Sequence, residues 1–393
     1  MHAIEHTYVS LLADVASSSG YSEIRGSYEG LQWCLIEAPQ LEKYILACLE
    51  KDESPDLGRF PYWLRRLAAG SVKDPVQLRL LRQLLLFCYK AYVEHDDETS
   101  KKAFKAFAEV NEQTRIAGEN FSKFSPALLD LARKFCQSVL YRFDEKNILP
   151  SHGPGASTTP KEKWTYWFDS INYVYPYSDY MALYFNSDHV GQFDECTYGR
   201  HISSKLIAVP KDSRGPRLIC VHPAEAIWIQ QGVRRQLERA ISQVRYHKGT
   251  WPRGRVNFDD QSINGRIALT SSRSKRYATI DMKEASDRVS DVLVQYLFGR
   301  KYKYFGCCRA QKYVSTHSCL QGVDDNIHSY APMGNATTFP VESLVFWAIC
   351  SASLQYHGFH QPGAVFVFGD DIIVPAEMAE VVINDLESFG LVV

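Results

Sequence analysis

Three separated stretches of this chain carry side chains suited to phosphate chemistry. The first is Ala-Val-Phe-Val-Phe-Gly-Asp-Asp-Ile-Ile-Val, residues 364–374, where Asp370 and Asp371 interrupt an apolar run. A Gly-Asp-Asp tripeptide arises by chance in roughly one chain in ten of this length, so its setting matters more than its letters. Apolar runs on both sides make it a hairpin whose turn holds Gly369, Asp370 and Asp371. A plain Gly-Asp turn with solvated carboxylates is the bland alternative. The second stretch is Thr-Ile-Asp-Met-Lys-Glu-Ala-Ser-Asp, residues 279–287, which starts as a strand and turns towards helix. It leaves Asp281 at the strand end and Asp287 at the helix start, where a simple cap is the competing role. If the two strands are neighbours, Asp281 and Asp370 meet, and clustered carboxylates repel unless cations neutralise them. Hard oxygen donors favour Mg²⁺, which binds through one or two carboxylates plus substrate phosphates.

The third stretch, Met333-Gly334-Asn335-Ala336-Thr337-Thr338-Phe339, is a small polar loop entering a helix that includes Glu342 and Trp347. Its small residues let backbone approach a ligand, and Asn335 can donate and accept hydrogen bonds or cap the helix. Lys205, Lys211, Arg214 and Arg217 add four cations in thirteen residues around a strand-loop-strand unit. Arginine forks and lysine point charges suit a triphosphate.

These groups need elements to hold them. Residues 1–150 read as mostly helical. Asp74-Pro75 marks a helix start, followed by Leu78, Leu81, Leu85, Cys88 and Tyr92 on one face. Ser125-Pro126 repeats the device before Leu129, Ala132, Cys136, Val139 and Phe143. A Gly/Pro loop, residues 150–160, ends this region, and it lacks a phosphate-loop lysine. Strand-like runs follow at Leu206 to Val209, Leu218 to Val221, Tyr277 to Asp281 and Ala364 to Phe368, with helices over Asp287 to Phe298 and Val341 to Leu354. The pattern predicts an α+β fold with an antiparallel sheet on helices. Three regions result: 1–150 helical, 151–276 basic, and 277–393 with the acidic motifs.

The net charge of -1 conceals a strongly basic segment. Between Arg200 and Arg276 there are sixteen Lys or Arg against five Asp or Glu. The basic residues are interleaved with Tyr246, Trp251, Phe258 and Tyr277, as in a channel that tracks phosphates and stacks bases, although a solvated basic face has the same composition. Ten cysteines show no C-x-x-C pair, which fits reduced thiols. Cys307, Cys308, His317, Cys319 and His328 match no common zinc spacing. Met1 to Gly20 lacks the features of a secretory or transit peptide, and Val341 to Leu354 is too short to span a bilayer. A soluble cytosolic protein is the expectation.

Taken in order, the motifs resemble those of the replicase catalytic subunit of single-stranded RNA bacteriophages, the leviviruses. The likeness runs from His152 to the C-terminus and is strongest from Lys205. It rests on Lys-Leu-Ile-Ala-Val-Pro-Lys-Asp-Ser-Arg-Gly-Pro-Arg (205–217), Asp-Met-Lys-Glu-Ala-Ser-Asp-Arg-Val-Ser (281–290), Met-Gly-Asn-Ala-Thr-Thr-Phe-Pro-Val-Glu-Ser-Leu-Val-Phe-Trp-Ala (333–348) and Phe-Gly-Asp-Asp-Ile-Ile-Val (368–374). Asp-Asp-Gln-Ser-Ile-Asn-Gly-Arg (259–266) and the His-Gly-Pro-Gly-Ala loop also look similar. Pro332 stands where the family often has Ser, and the chain ends where the family continues with a strand, a lysine and a thumb.

The resemblance implies a right-hand polymerase with helical fingers and an antiparallel palm, its thumb missing. The activity implied is template-directed RNA synthesis through two Mg²⁺ ions, for which Mn²⁺ can substitute. Asp281, Asp370 and Asp371 would hold the ions, with the Met282 carbonyl as an extra ligand. Lys205, Lys211, Arg214 and Arg217 would hold the triphosphate, with Asp287, Gly334 and Asn335 at the ribose. Implied partners are template and product RNA, ribonucleoside triphosphates, host translation elongation factors and a ribosomal protein, in the bacterial cytoplasm. Two rivals remain open at this point: a reverse transcriptase, and a non-catalytic RNA-binding protein with an inert palm.

Overall fold

A computed structural model of the chain describes residues 33, 37–89, 96–158, 202–212, 215–242, 255–258, 260–360 and 363–393. Two compact units are distinguished, one comprising residues 1–103 with 208–217, the other residues 104–207 with 218–393.

Among its described residues the first unit holds α1 (Ala38–Glu50), α2 (Tyr62–Ser71) and α3 (Pro75–Leu86). As the Asp74-Pro75 signal predicts, Asp74 caps α3 by accepting from the Val76 amide at 2.9 Å. Ile45, Leu64, Ala68, Leu81 and Leu85 form this unit's own core. Helix α4 (Asp97–Glu119) crosses from the first unit's residues into the second's.

In the second unit, α5 (Pro126–Leu140) starts at the predicted Ser125-Pro126 cap, although the Ser125 Oγ to Leu128 amide distance is a long 3.5 Å. Strands β1 (Ser203–Asp212) and β2 (Gly215–Val221) extend from this unit into the first, and α6 (Ala224–Ser242) and α7 (Ser262–Ser274) follow. Strand β3 (Tyr277–Asp281) occupies the predicted residues. The helix expected over 287–298 is broken in two: α8 (Ala285–Arg288) and α9 (Asp291–Phe298). The break arises because the Val289 carbonyl accepts from the Tyr330 amide at 2.7 Å, while Ser290 bridges Ser329 and caps α9. The Val289–Tyr330 and Ser290–Ser329 contacts are long-range and no local pattern encodes them, whereas the Ser290 cap is local.

The chain continues through α10 (Tyr302–Gly306), β4 (Lys312–Val314), α11 (Thr338–Tyr356), β5 (Phe366–Phe368), β6 (Asp371–Pro375) and α12 (Ala379–Ser388). The expected antiparallel sheet is present, with order β3-β6-β5. A second sheet, β2-β1-β4, goes beyond the expectation, and its β1–β4 pair is parallel. Parallel pairing needs a long crossover, and the helices between β2 and β4 supply one.

Alternate residues of the β3-β6-β5 sheet, including Ile280, Ile372, Val374 and Val367, enter the main core. Helix α11 packs there against α5 and the sheet. It is buried on nearly every face, including Val341, Leu344, Val345, Trp347 and Ala348, so it reads as a continuous apolar run rather than a stripe. Among the described residues no helix is long and apolar enough to cross a membrane.

Arg309, 6% exposed, ties the two halves of this unit's polar framework together. It donates to the carbonyls of Ile327, Ser329 and Tyr330 at 2.7–2.8 Å and lies 3.3 Å from Asp291. The segment leading into the 333–337 loop is thereby clamped to the start of α9. Arg309→Met strands three carbonyls and removes the cation beside Asp291, whose carboxylate keeps the bonds from Tyr302 and Gln295, so it is expected to lower the unfolding free energy by about 3 kcal/mol, read from urea denaturation.

Candidate active site

Pairing of β3 with β6 places Asp281 directly opposite Asp371. Directly opposed residues of an antiparallel pair project to the same face with Cβ atoms about 4.5–5.5 Å apart. Phe368 also pairs with Asp371, so the turn itself contains only Gly369 and Asp370, and Asp371 is the first residue of β6 rather than a turn residue. Gly369 has φ +61°, as a two-residue hairpin with glycine first requires. A side chain there would also collide with the ring of Phe339. The Gly369 amide donates to Ser343 Oγ of α11 at 3.2 Å. The turn is thus seated on α11 by one hydrogen bond and one ring, leaving Asp370 exposed at its tip.

Asp371 is held from the other side by α7. Gln261 donates to its Oδ2 at 2.9 Å, and Asn264 Nδ2 to its carbonyl at 3.2 Å. Sequence reasoning does not single out either residue. The 259–266 motif that contains them stands out only by its family likeness, and nothing in its spacing names Asp371 as the target. Asp281 is exposed at the end of β3, while the Met282 side chain is buried, which leaves its carbonyl as the only donor it could offer.

After β3 the Lys283 amide donates to the Val392 carbonyl, and Glu284 takes a left-handed φ of +44° that redirects the chain into α8. Asp287 is the third residue of that short helix; Glu284 occupies the N-cap position. Burial pushes the Asp287 carboxyl up to about 7; the Ser286 hydroxyl opposes the shift, Glu284 adds to it and Arg288 offsets it. Arg288, 8% exposed at its side chain, pairs with Glu284 at 3.1 Å and donates to Gln113. Thr114 of α4 donates to the Asp287 carbonyl at 2.9 Å.

The 333–337 loop docks on β2. The Cys220 amide donates to the Met333 carbonyl at 2.8 Å, and a methyl group on Gly334 would collide with the Cys220 carbonyl. Gly334, at φ +116°, is therefore required by close backbone approach. Asn335 Oδ1 accepts from the Thr337 amide and hydroxyl, both at 2.8 Å, and Thr337 contacts the Tyr330 hydroxyl at 2.7 Å. Asn335 Nδ2 is buried without a hydrogen-bond partner among the described residues. Glu342, which the sequence offers only as part of the helix after the loop, is buried with Oε2 unpartnered among the described residues. Burial and the nearby Asp370 and Asp287 hold its carboxyl well above the usual carboxylate range.

Of the four predicted cations, Lys205 is exposed on β1 within the unit that contains the carboxylates. Lys211 and Arg217 are exposed in the other unit, and Arg214 lies outside the described residues, as do Tyr246 and Trp251. The cysteine-histidine group is dispersed. Cys308 is buried and donates to local carbonyls, His328 contacts Asp324, and His317 stacks on Phe104 with Nδ1 3.0 Å from Cys319 Sγ.

Asp281, Asp370 and Asp371 share one end of a three-stranded sheet, backed by a buried helix and flanked by a glycine loop. Their donor set fits a hard divalent cation: oxygen only, with Asp281 and Asp370 accessible. Among the described residues no three carboxylate, imidazole or thiol side chains converge as a preformed cage. The arrangement is acidic at its centre, and the glycine loop leads into the helix that backs it. Residues 170–393 match the family model described as RNA replicase, beta-chain, and the chain belongs to that family.

The chain is 34% identical to the RNA-directed RNA polymerase beta chain of Enterobacteria phage fr over 47% of its length and 31% of that protein. It is 33% identical to the beta chain of Escherichia phage MS2 over 48% of its length and 32% of that protein. Identity to the RNA-directed RNA polymerase subunit beta of Escherichia virus Qbeta is 28%, over 44% and 27%. The chain thus spans about a third of the length of the curated relatives it matches. A solved chain described as an RdRp complex aligns over 90% of this chain and 35% of its own at 12% identity; its TM-score of 0.40 is too low to argue from.

Two outcomes follow from this geometry. Gly369→Ala forces both a positive φ and a clash with Phe339, and is expected to cost about 1–3 kcal/mol of stability, read from denaturant midpoints. Folding raises the Asp287 carboxyl from 3.8 to about 7. The native state therefore binds more protons than the unfolded one between those values, and stability falls as pH rises through that window. Asp287→Asn is expected to flatten this decline in metal-free buffer without abolishing it, because Glu342 shifts in the same sense.

Proposed function

We propose that this chain carries the catalytic centre of an RNA-dependent RNA polymerase that copies a phage genome by two-metal nucleotidyl transfer. The observation that supports this reading best is the register that opposes Asp281 to Asp371, with Asp370 at the adjoining turn. Asp281 and Asp370 would hold Mg²⁺ ions with Asp371 and the Met282 carbonyl, and such ions lower the pKa of the attacking hydroxyl and neutralise the leaving oxygens.

The chain's own residues supply position. The Gly369 amide on Ser343 and the Gln261 and Asn264 bonds to Asp371 fix the backbone on which the carboxylates ride. A phosphoryl transfer depends chiefly on such positioning and on electrostatics. Gly334 allows backbone to line the site without a side chain, and Asp287 and Asn335 would meet the ribose 2′-hydroxyl, the group that separates RNA precursors from DNA precursors. Lys205, Lys211, Arg214 and Arg217 would bind the triphosphate. Template RNA, product RNA and ribonucleoside triphosphates are the substrates under this reading. Host translation elongation factors, a ribosomal protein and the bacterial cytoplasm belong to it by family likeness.

Primer extension on an RNA template tests the assignment. Asp370→Asn is expected to reduce ribonucleotide incorporation by about a thousandfold or more while RNA retention on a filter is unchanged. Incorporation equal to wild type would leave an RNA-binding protein with an inert palm as the better account. A preference for deoxynucleotides would indicate a reverse transcriptase.

A further inference from the structure

Asp281 is the last residue of β3, and only Met282, Lys283 and Glu284 separate it from α8. Glu284 makes the turn at φ +44°, a left-handed conformation that is costly for a residue with a side chain. The helix it enters spans only Ala285–Arg288, too short to persist by its own propensity. Contacts from outside this segment must therefore hold it.

Arg288 provides that hold. Its Nε donates to Glu284 Oε2 at 3.1 Å and its Nη1 to Gln113 Oε1 of α4 at 3.0 Å. Beside this tie, Thr114 donates to the Asp287 carbonyl at 2.9 Å. Glu284 is thus joined to α4 through a single guanidinium that is 8% exposed. A buried ion pair is a poor source of stability, since apolar side chains of similar volume serve a core as well or better. What a planar, forked guanidinium supplies is geometry, because it meets its partners in one arrangement and fixes both ends.

Resting on the polymerase reading, we infer that Arg288 is a positioning residue for the divalent cation: by tying Glu284 to Gln113 it holds the left-handed turn behind Asp281, and so sets where the Asp281 carboxylate and the Met282 carbonyl stand for a bound ion. Partners one step removed from a metal's ligands characteristically govern its affinity in this way. Charge alone predicts the opposite sign. Arg288 is a cation beside Glu284 and Asp287, so removing its charge without disturbing the turn would tighten divalent binding.

The test measures Mn²⁺ binding by electron paramagnetic resonance, without nucleotide, in the RNA-synthesising enzyme that contains this chain, taking the site that Asp370→Asn abolishes. Thermal midpoints in metal-free buffer accompany it. Arg288→Met is expected to raise the dissociation constant by about tenfold or more, and to raise in step the Mg²⁺ needed for half-maximal ribonucleotide incorporation. Gln113→Ala cuts the far end of the tie at an exposed position and is expected to act in the same sense by a smaller factor. Adding Glu284→Gly to Arg288→Met is expected to restore most of the affinity, because glycine takes the left-handed φ without a tie. An unchanged or lowered dissociation constant in Arg288→Met, whatever its thermal midpoint, would overturn the inference in favour of a structural role. So would a double variant no better than Arg288→Met. Where Arg288→Met does not fold, Gln113→Ala decides, and an unchanged constant there overturns the inference. Those outcomes leave the polymerase reading intact, whereas a wild-type enzyme with no Asp370-dependent Mn²⁺ binding removes both.

Discussion

Antiparallel register between β3 and β6 is the constraint on which the rest of the site depends. It sets Asp281 against Asp371, and like charges directly opposite destabilise a sheet. The pairing survives because the opposite face of the same two strands carries Ile280 against Ile372 and Ala278 against Val374, with Ile280, Ile372 and Val374 in the main core. A slip of one residue would turn Ile280, Ile372 and Val374 out of the main core, even though Ile373, on the face of Asp371, is buried as well. Hydrophobic burial therefore specifies the position of the carboxylates, although it contributes nothing to their chemistry.

Helix α11 transmits that specification to the turn. Because it is apolar around nearly its whole circumference, it cannot shift without uncovering core against α5 or the sheet. Its first turns then act as a fixed platform: Phe339 meets Gly369 and stacks edge-on near Phe368 at 5.3 Å, while Ser343 receives the Gly369 amide. Arg309 performs the matching task for the loop before α11, holding residues 327–330 by their carbonyls and anchoring them through Asp291. The reactive end of the sheet and the glycine loop are thus referred to the same rigid element.

Two of the buried polar atoms without a hydrogen-bond partner among the described residues lie at this platform. Glu342 Oε2 and Asn335 Nδ2 are both buried and unpaired, and Asp287 is a carboxyl whose burial disfavours its charge. Each subtracts from stability, and perturbed, unsatisfied groups gathered in one place are characteristic of sites that recognise a ligand. The cysteines and histidines that the sequence groups between 307 and 328 lack this character, being satisfied locally by Tyr304, Phe305 and Asp324 or by stacking on Phe104.

Local chemistry is enough to read several of these features from the residues alone. Asp74-Pro75 and Ser125-Pro126 announce their helices, β3 falls on Tyr277–Asp281, and apolar runs around Gly-Asp-Asp announce the hairpin, because caps, strand periodicity and turns are written within a few residues. Ordered motifs also carry the family. Tertiary structure alone decides what depends on distant partners: the helix break at Val289 and Ser290, the parallel pairing of β1 with β4, and the grip of Gln261 and Asn264 on Asp371. Glu342 belongs to the same class. Nothing marks a glutamate in an apolar helix until the fold buries it beside Asp370 and Asp287, since burial and electrostatic neighbours are properties of packing rather than of sequence spacing.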